Sequence, residues 1–190
     1  LLNKESKIYY SKNLNKLSKF KENLIKDIFK FLIKYKEIKQ TFVFGSFLTQ
    51  KIDYNDIDIL ILTENVEEET SNFDDKIYHN LTNLFNLKFH VILFNERGLK
   101  ELLEICPLTR SMLYYNVSSK KFKIPEKIRI DNKHIRFLLM MPESLLEVNL
   151  DYGLEYYNAL RKIFVIEKFL SGKEMPPNKI DAYLEKLIDK

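Results

Sequence analysis

Tryptophan is absent from the chain, and glycine, proline and cysteine are scarce, at 4, 5 and 1 of 190 residues. The single cysteine, Cys106, excludes an intrachain disulfide and any cysteine-rich metal site. So few glycines and prolines argue against a long flexible linker. No apolar run approaches the roughly 20 residues needed to cross a bilayer, and the longest, 137–141, stops at Pro142. The opening Leu1-Leu2-Asn3-Lys4-Glu5 lacks the extended apolar stretch of a signal peptide. It also lacks an initiator methionine, so a native start upstream of Leu1 is expected. A cytoplasmic protein without a membrane span fits these absences. Internal repeats and low-complexity segments are missing as well.

What is present describes a folded chain. An apolar fraction of 45% excludes disorder over most of the length, although charged residues, at 31%, exceed the usual quarter. The length suits one medium domain or two small lobes. A net charge of +4 permits attraction to phosphates but does not mark a nucleic-acid binder.

Leu14, Leu17, Phe20, Leu24, Ile28, Phe31, Leu32, Tyr35 and Ile38 recur at three- and four-residue steps. This predicts an amphipathic helix of about six turns with its lysines outward. Residues 41–44 read as a short buried strand broken by Gly45-Ser46, and 57–62 as a second strand. The acids of 64–69 lead into a helix to about Phe85, where negative charge suits the positive end of the helix dipole. A third strand is expected at 87–94, a short helix at 96–105, and a hairpin of 111–117 with 121–130 across Ser118-Ser119. From Pro142 onward the pattern is helical, with breaks near 151–153, at Gly172 and at Pro176-Pro177, and a last helix at 180–188. The expected architecture is α+β: a domain over 1–135 that includes the N-terminal helix, then a helical subdomain over 136–190.

Two carboxylates at i and i+2 on a strand point to one face, where hard oxygen donors can together hold Mg²⁺. Asp56 and Asp58 have that spacing, and Asp58 lies between Ile57 and Ile59. A carboxylate set in a buried strand is costly without a compensating cation. A strand ending in Gly45-Ser46 supplies the complementary half, because backbone amides and a hydroxyl can approach phosphate oxygens closely. The whole reads strand, Gly-Ser, ten positions from Ser46 to Asp56, Asp-x-Asp, strand.

Phe42-Val43-Phe44-Gly45-Ser46-Phe47 through Asn55-Asp56-Ile57-Asp58-Ile59-Leu60-Ile61-Leu62 resembles the signature of the DNA polymerase β-like nucleotidyltransferase superfamily, in its minimal or small-molecule form. The resemblance implies a palm of small mixed sheet flanked by helices. It also implies that Gly45 and Ser46 bind a nucleoside triphosphate, with ATP the expected one, and that Asp56 and Asp58 bind Mg²⁺ or Mn²⁺ and act in catalysis. The implied reaction moves a nucleoside monophosphate to an acceptor hydroxyl on a small molecule, an RNA end or a protein side chain.

The chain departs from the family in two places. Thr49-Gln50 stands where many members have Arg-Gly, so the turn must be held differently. The third carboxylate, usual on the next strand, is matched by His90 in Leu87-Lys88-Phe89-His90-Val91-Ile92-Leu93. Histidine there has three readings: an adapted general base or ligand, a structural residue in a site completed by Glu96, Glu147 or Glu155, or a mark of lost catalysis. The last leaves a nucleotide-binding or partner-binding module, for example of toxin–antitoxin type. The tail resembles more weakly the helical domain of small-molecule nucleotidyltransferases, through Asn158-Ala159-Leu160-Arg161-Lys162, Leu170-Ser171-Gly172 and Pro177-Asn178-Lys179. That implies Lys179, and after it Arg161, as contacts to the triphosphate.

Overall fold

The computed structural model describes residues 7–49, 54–64, 72–147, 153–173 and 175–188. The acids of 65–69 and the expected break at 151–152 lie outside the described residues. The chain packs as two units, one of Leu1–Lys100 with Tyr115–Lys123, the other of Glu101–Tyr114 with Ile124–Lys190. The sequence places one cut between 135 and 136; by packing, residues 101–114 and 124–135 go with the helical tail.

The first unit is an α+β layer. Among the described residues its strands are β1 (Tyr9–Tyr10), β2 (Ile38–Phe44), β3 (Ile57–Thr63), β4 (Phe89–Asn95) and β5 (Val117–Ser118). They lie in the order β1-β5-β2-β3-β4. β3 and β4 are parallel, the other neighbours antiparallel. Antiparallel β2 and β3 are joined across the Gly45-to-Asp56 turn, whereas parallel β3 and β4 need a crossover, which α2 (Phe73–Phe85) provides. Asn86 ends that helix in the left-handed region at φ 52°, where asparagine is tolerated better than most residues.

Strand alternation builds the core on one face. Val43, Ile59 and Ile61 turn the same way as Ile57, Phe89 and Val117, and pack under Ile25, Ile28, Phe29 and Leu32 of α1 (Lys19–Leu32) and under Ile77 and Leu81 of α2. The opposite face carries Phe42, Phe44, Asp58, Leu60 and Leu62, paired Phe42 with Leu60 and Phe44 with Asp58. α1 is shorter than its apolar periodicity predicts. It starts at Ser18, whose hydroxyl accepts from the Lys21 amide, and stops at Ile33. Leu14, Leu17, Tyr35 and Ile38 reach the same core from outside the helix.

The second unit holds α3 from Glu101 on (α3 spans Glu96–Ile105), α4 (Pro107–Met112), α5 (Asn132–Glu147), α6 (Gly153–Leu170) and α7 (Pro177–Ile188). The hairpin expected of 111–130 does not form. Pro107 sits in the first turn of α4, where its missing N–H costs nothing, and 117–118 pairs with β1 and β2 instead. α5 begins ten residues before Pro142, capped by Asp131, whose carboxylate accepts from the amides of Lys133 and His134. α7 begins at Pro177, three residues before the expected start. Within α6 and α7, Phe164, Val165, Ile180 and Leu184 form a core of their own. Among the described residues, no helix is long and apolar enough to cross a membrane.

Candidate active site

Gly45 ends β2 at φ 79°, a conformation that glycine adopts without steric cost. A Cβ there would collide with Asp58 Oδ2, so the aspartate carboxyl rests directly on the glycine backbone. Ser46, Phe47 and Leu48 then make one 3₁₀ turn, in which the Leu48 amide donates to the Gly45 carbonyl and Thr49 closes on Ser46. Ser46 is exposed, while Phe47 and Leu48 are buried and anchor the turn.

The parallel register of β3 with β4 sets Asp58 beside His90. His90 Nδ1 lies 3.1 Å from Asp58 Oδ1, and the two side chains are 59% and 20% exposed, respectively. One carboxyl therefore spends Oδ1 on the imidazole and holds Oδ2 over the Gly45–Ser46 turn. Burial pushes the Asp58 carboxyl above its ordinary value, the neighbouring Asp56 charge adds to this, and the His90 hydrogen bond partly reverses it. Asp56 is half-buried just ahead of the strand.

Of the other expected acids, Glu96 does not complete this group. Glu96 pairs with Lys100 at 2.6 Å and follows the far end of β4, six positions beyond His90, or about 20 Å at the rise of a strand. Glu155 is exposed on α6 in the second unit. Glu147 ends α5, and its side chain is outside what is described. In the second unit, Lys179 is exposed on α7, and Arg161 donates from Nε to Asp181 at 2.7 Å. Tyr157 donates its hydroxyl to the same carboxylate at 3.0 Å.

One residue near the turn went unnoticed in the sequence. Lys21, on α1, is buried and donates from Nζ to the Thr49 carbonyl at 2.9 Å. Its ammonium also stands 5.2 Å from the ring centre of Phe47 and 5.6 Å from that of Tyr54. The available signal was position. Lys21 shares the 25, 28, 32 stripe of α1, where an apolar residue is expected.

Residues 26–116 match the family described as polymerase beta, nucleotidyltransferase. Over this span the chain is similar to the polymerase β-like nucleotidyltransferases. No curated protein and no solved structure matches it. The matched span contains Gly45, Ser46, Asp56, Asp58 and His90; it starts after Lys21 and ends before α5, so it covers neither Lys21 nor Lys179.

The donors of this site suit one hard divalent cation brought in with a nucleotide. Asp56 and Asp58 offer two carboxylates, and a cation would relieve the burial, and after it the Asp56 charge, that raise the Asp58 carboxyl. Mg²⁺ is commonly held by one or two carboxylates, with substrate phosphates and water completing its shell. Among the described residues, no group of three or more His, Cys, Asp or Glu is arranged to hold a metal ion.

Proposed function

We propose that the chain transfers a nucleoside monophosphate from a nucleoside triphosphate, ATP first among them, to an acceptor hydroxyl, and that His90 replaces the usual third carboxylate as general base. The observation that carries this is the double use of Asp58: Oδ2 lies over the Gly45–Ser46 turn, and Oδ1 meets His90 Nδ1 at 3.1 Å. With Asp58 ionised, Nδ1 must be the donor. That leaves Nε2 as an acceptor on a side chain open to solvent.

The turn would receive the triphosphate, with the Ser46 hydroxyl and the leading amides of the 3₁₀ turn toward its oxygens. Asp56 and Asp58 would hold Mg²⁺ or Mn²⁺, which when bound neutralises triphosphate charge. The acceptor oxygen attacks the α-phosphorus, the bond to pyrophosphate breaks, and the hydroxyl proton goes to His90 Nε2. Asp58 keeps the ring in the tautomer that can take it and stabilises the imidazolium formed. Lys179 would add a contact to the triphosphate from the helical unit. A small-molecule acceptor fits a transferase with a helical tail, while an RNA end or a protein side chain remains an alternative for the assay to separate. A cytoplasmic setting, where NTPs are supplied, goes with this reading.

The test incubates the protein with each α-labelled NTP, Mg²⁺ or Mn²⁺, and small alcohols, tRNA or protein as acceptors, and follows pyrophosphate and label. His90→Ala is expected to slow transfer by about 10²- to 10⁴-fold, the usual worth of a general base, and Asp58→Ala to abolish it. If no NTP yields pyrophosphate or a labelled adduct, the transferase reading fails. His90 at the position of the usual third carboxylate favours one other reading, a nucleotide-binding module without turnover. Calorimetric NTP binding without product, insensitive to Asp58→Ala, would establish it.

A further inference from the structure

The burial of Lys21 needs a reason. The residue is 8% exposed, on the stripe of α1 that otherwise carries Ile25, Ile28 and Leu32 into the core. Burying an ammonium without partners costs several kcal/mol in effect. Here the cost is offset by a carbonyl, Thr49 O at 2.9 Å, and by two aromatic faces. Those rings, Phe47 and Tyr54, meet edge to face at 4.8 Å and 86°. Phe47 follows Ser46 directly, and Tyr54 precedes Asp56 by two residues. The ammonium therefore touches both ends of the segment that joins the phosphate-binding turn to the Asp-x-Asp strand, and α1 fixes it from outside that segment.

We propose that Lys21 is the positioning residue of the nucleotide site, tying the Ser46 end of this segment to its Asp56 end and so setting the affinity for the triphosphate. The inference rests on the nucleotide reading given above. Lys21 need not touch nucleotide. It holds the turn in the form that can. Without it, the competent turn is one of several conformations, and apparent affinity falls by the fraction of time the turn is formed; a tenth of the time means about tenfold weaker binding.

The test compares wild type with Lys21→Met, which keeps the stem and removes the charge, and Lys21→Arg, which restores a cation and donor. Amide hydrogen exchange without nucleotide is expected to quicken at Leu48 and Thr49 in the methionine variant and to stay unchanged in β2 and β3. The dissociation constant for Mg-ATP should rise about tenfold, KM should rise with it, and kcat at saturating ATP should hold within about threefold. Arginine should restore both exchange and affinity. Unchanged exchange at Leu48 and Thr49 in folded Lys21→Met overturns the proposal. So does faster exchange with unaltered ATP affinity, or arginine that restores neither. If Lys21→Met fails to fold, Tyr54→Leu, which removes one ring and keeps the lysine, should give the same pattern at smaller size, and no change there overturns the proposal equally. If wild type binds no NTP, the nucleotide reading falls and the exchange measurement alone decides whether Lys21 holds the turn.

Discussion

Asp58 sits where three demands meet. It is a strand residue 20% exposed, an acceptor for His90, and a carboxyl laid on the one glycine conformation that leaves it room. Burial and Asp56 raise its proton affinity, so folding favours the protonated form. A group whose folded value is raised contributes stability that is present below its unfolded value and is lost as pH climbs through the folded value. Near neutrality, the ligand-free protein therefore carries the cost of an ionised Asp58. Asp58→Asn keeps an acceptor for His90 and removes that cost. The variant should melt above wild type at pH 7, with the advantage vanishing below the ordinary value of 3.8, each kcal/mol appearing as about 2–4 °C in a chain of this size. On the proposed mechanism activity should fall about 100-fold or more, because the variant loses a charge that would hold the divalent cation and stabilise the His90 imidazolium. A variant that melts at or below wild type at pH 7 would show that the aspartate charge is already compensated. The spacing of Asp56 and Asp58 and the Gly45–Ser46 break were legible in the sequence because strand alternation is a rule of two residues. The seat of Oδ2 on Gly45 was not, since it depends on the register of β2 against β3.

At the scale of elements, the register of β3 with β4 decides what His90 can do. The parallel pairing places position 90 beside Asp58, so a carboxylate at 90 would stand next to a second carboxylate and near a third, Asp56. Like charges directly opposite on a sheet are destabilising. His90→Asp should therefore lower the melting temperature of the ligand-free protein by a few degrees, about 2–4 °C per kcal/mol. Mn²⁺ should then raise it more in the variant than in wild type, because three carboxylates replace two. Equal Mn²⁺ shifts in thermal melts of the two proteins would deny that position 90 faces the cation. This register joins residues 32 positions apart through α2, and nothing local in the sequence specifies it. Other elements were legible in proportion to their length. β3, β4 and α3 have enough residues for a period to show, whereas β1 and β5, at two residues each, have none. The α4 helix was hidden because its six residues carry little apolar period, although Pro107 at its start was a usable signal. Lys21 was hidden by company: lysines line α1, and only tertiary burial distinguishes the one turned inward.

For the whole molecule, the question is whether the helical unit takes part in nucleotide binding. The family match ends at residue 116, so α5, α6 and α7 must make their own case. Two basic residues were expected to reach the triphosphate, and their surroundings differ. Arg161 shares Asp181 with Tyr157, an arrangement that ties α6 to α7; removing it should loosen that helix pair whatever the substrate. Lys179 is exposed on α7, so Lys179→Ala should leave the fold alone. A charge-assisted hydrogen bond to phosphate is worth about 1.5–3 kcal/mol, and Lys179→Ala should raise the KM for NTP about 10- to 100-fold with kcat unchanged if that contact is made. Lys186→Ala, on the same helix and also exposed, supplies the control for net charge alone. A general field effect would fade with added salt in both variants, whereas a direct contact would separate them at every ionic strength. Equal KM values for Lys179→Ala and Lys186→Ala would confine nucleotide binding to the first unit and leave the helical unit to the acceptor or to a partner.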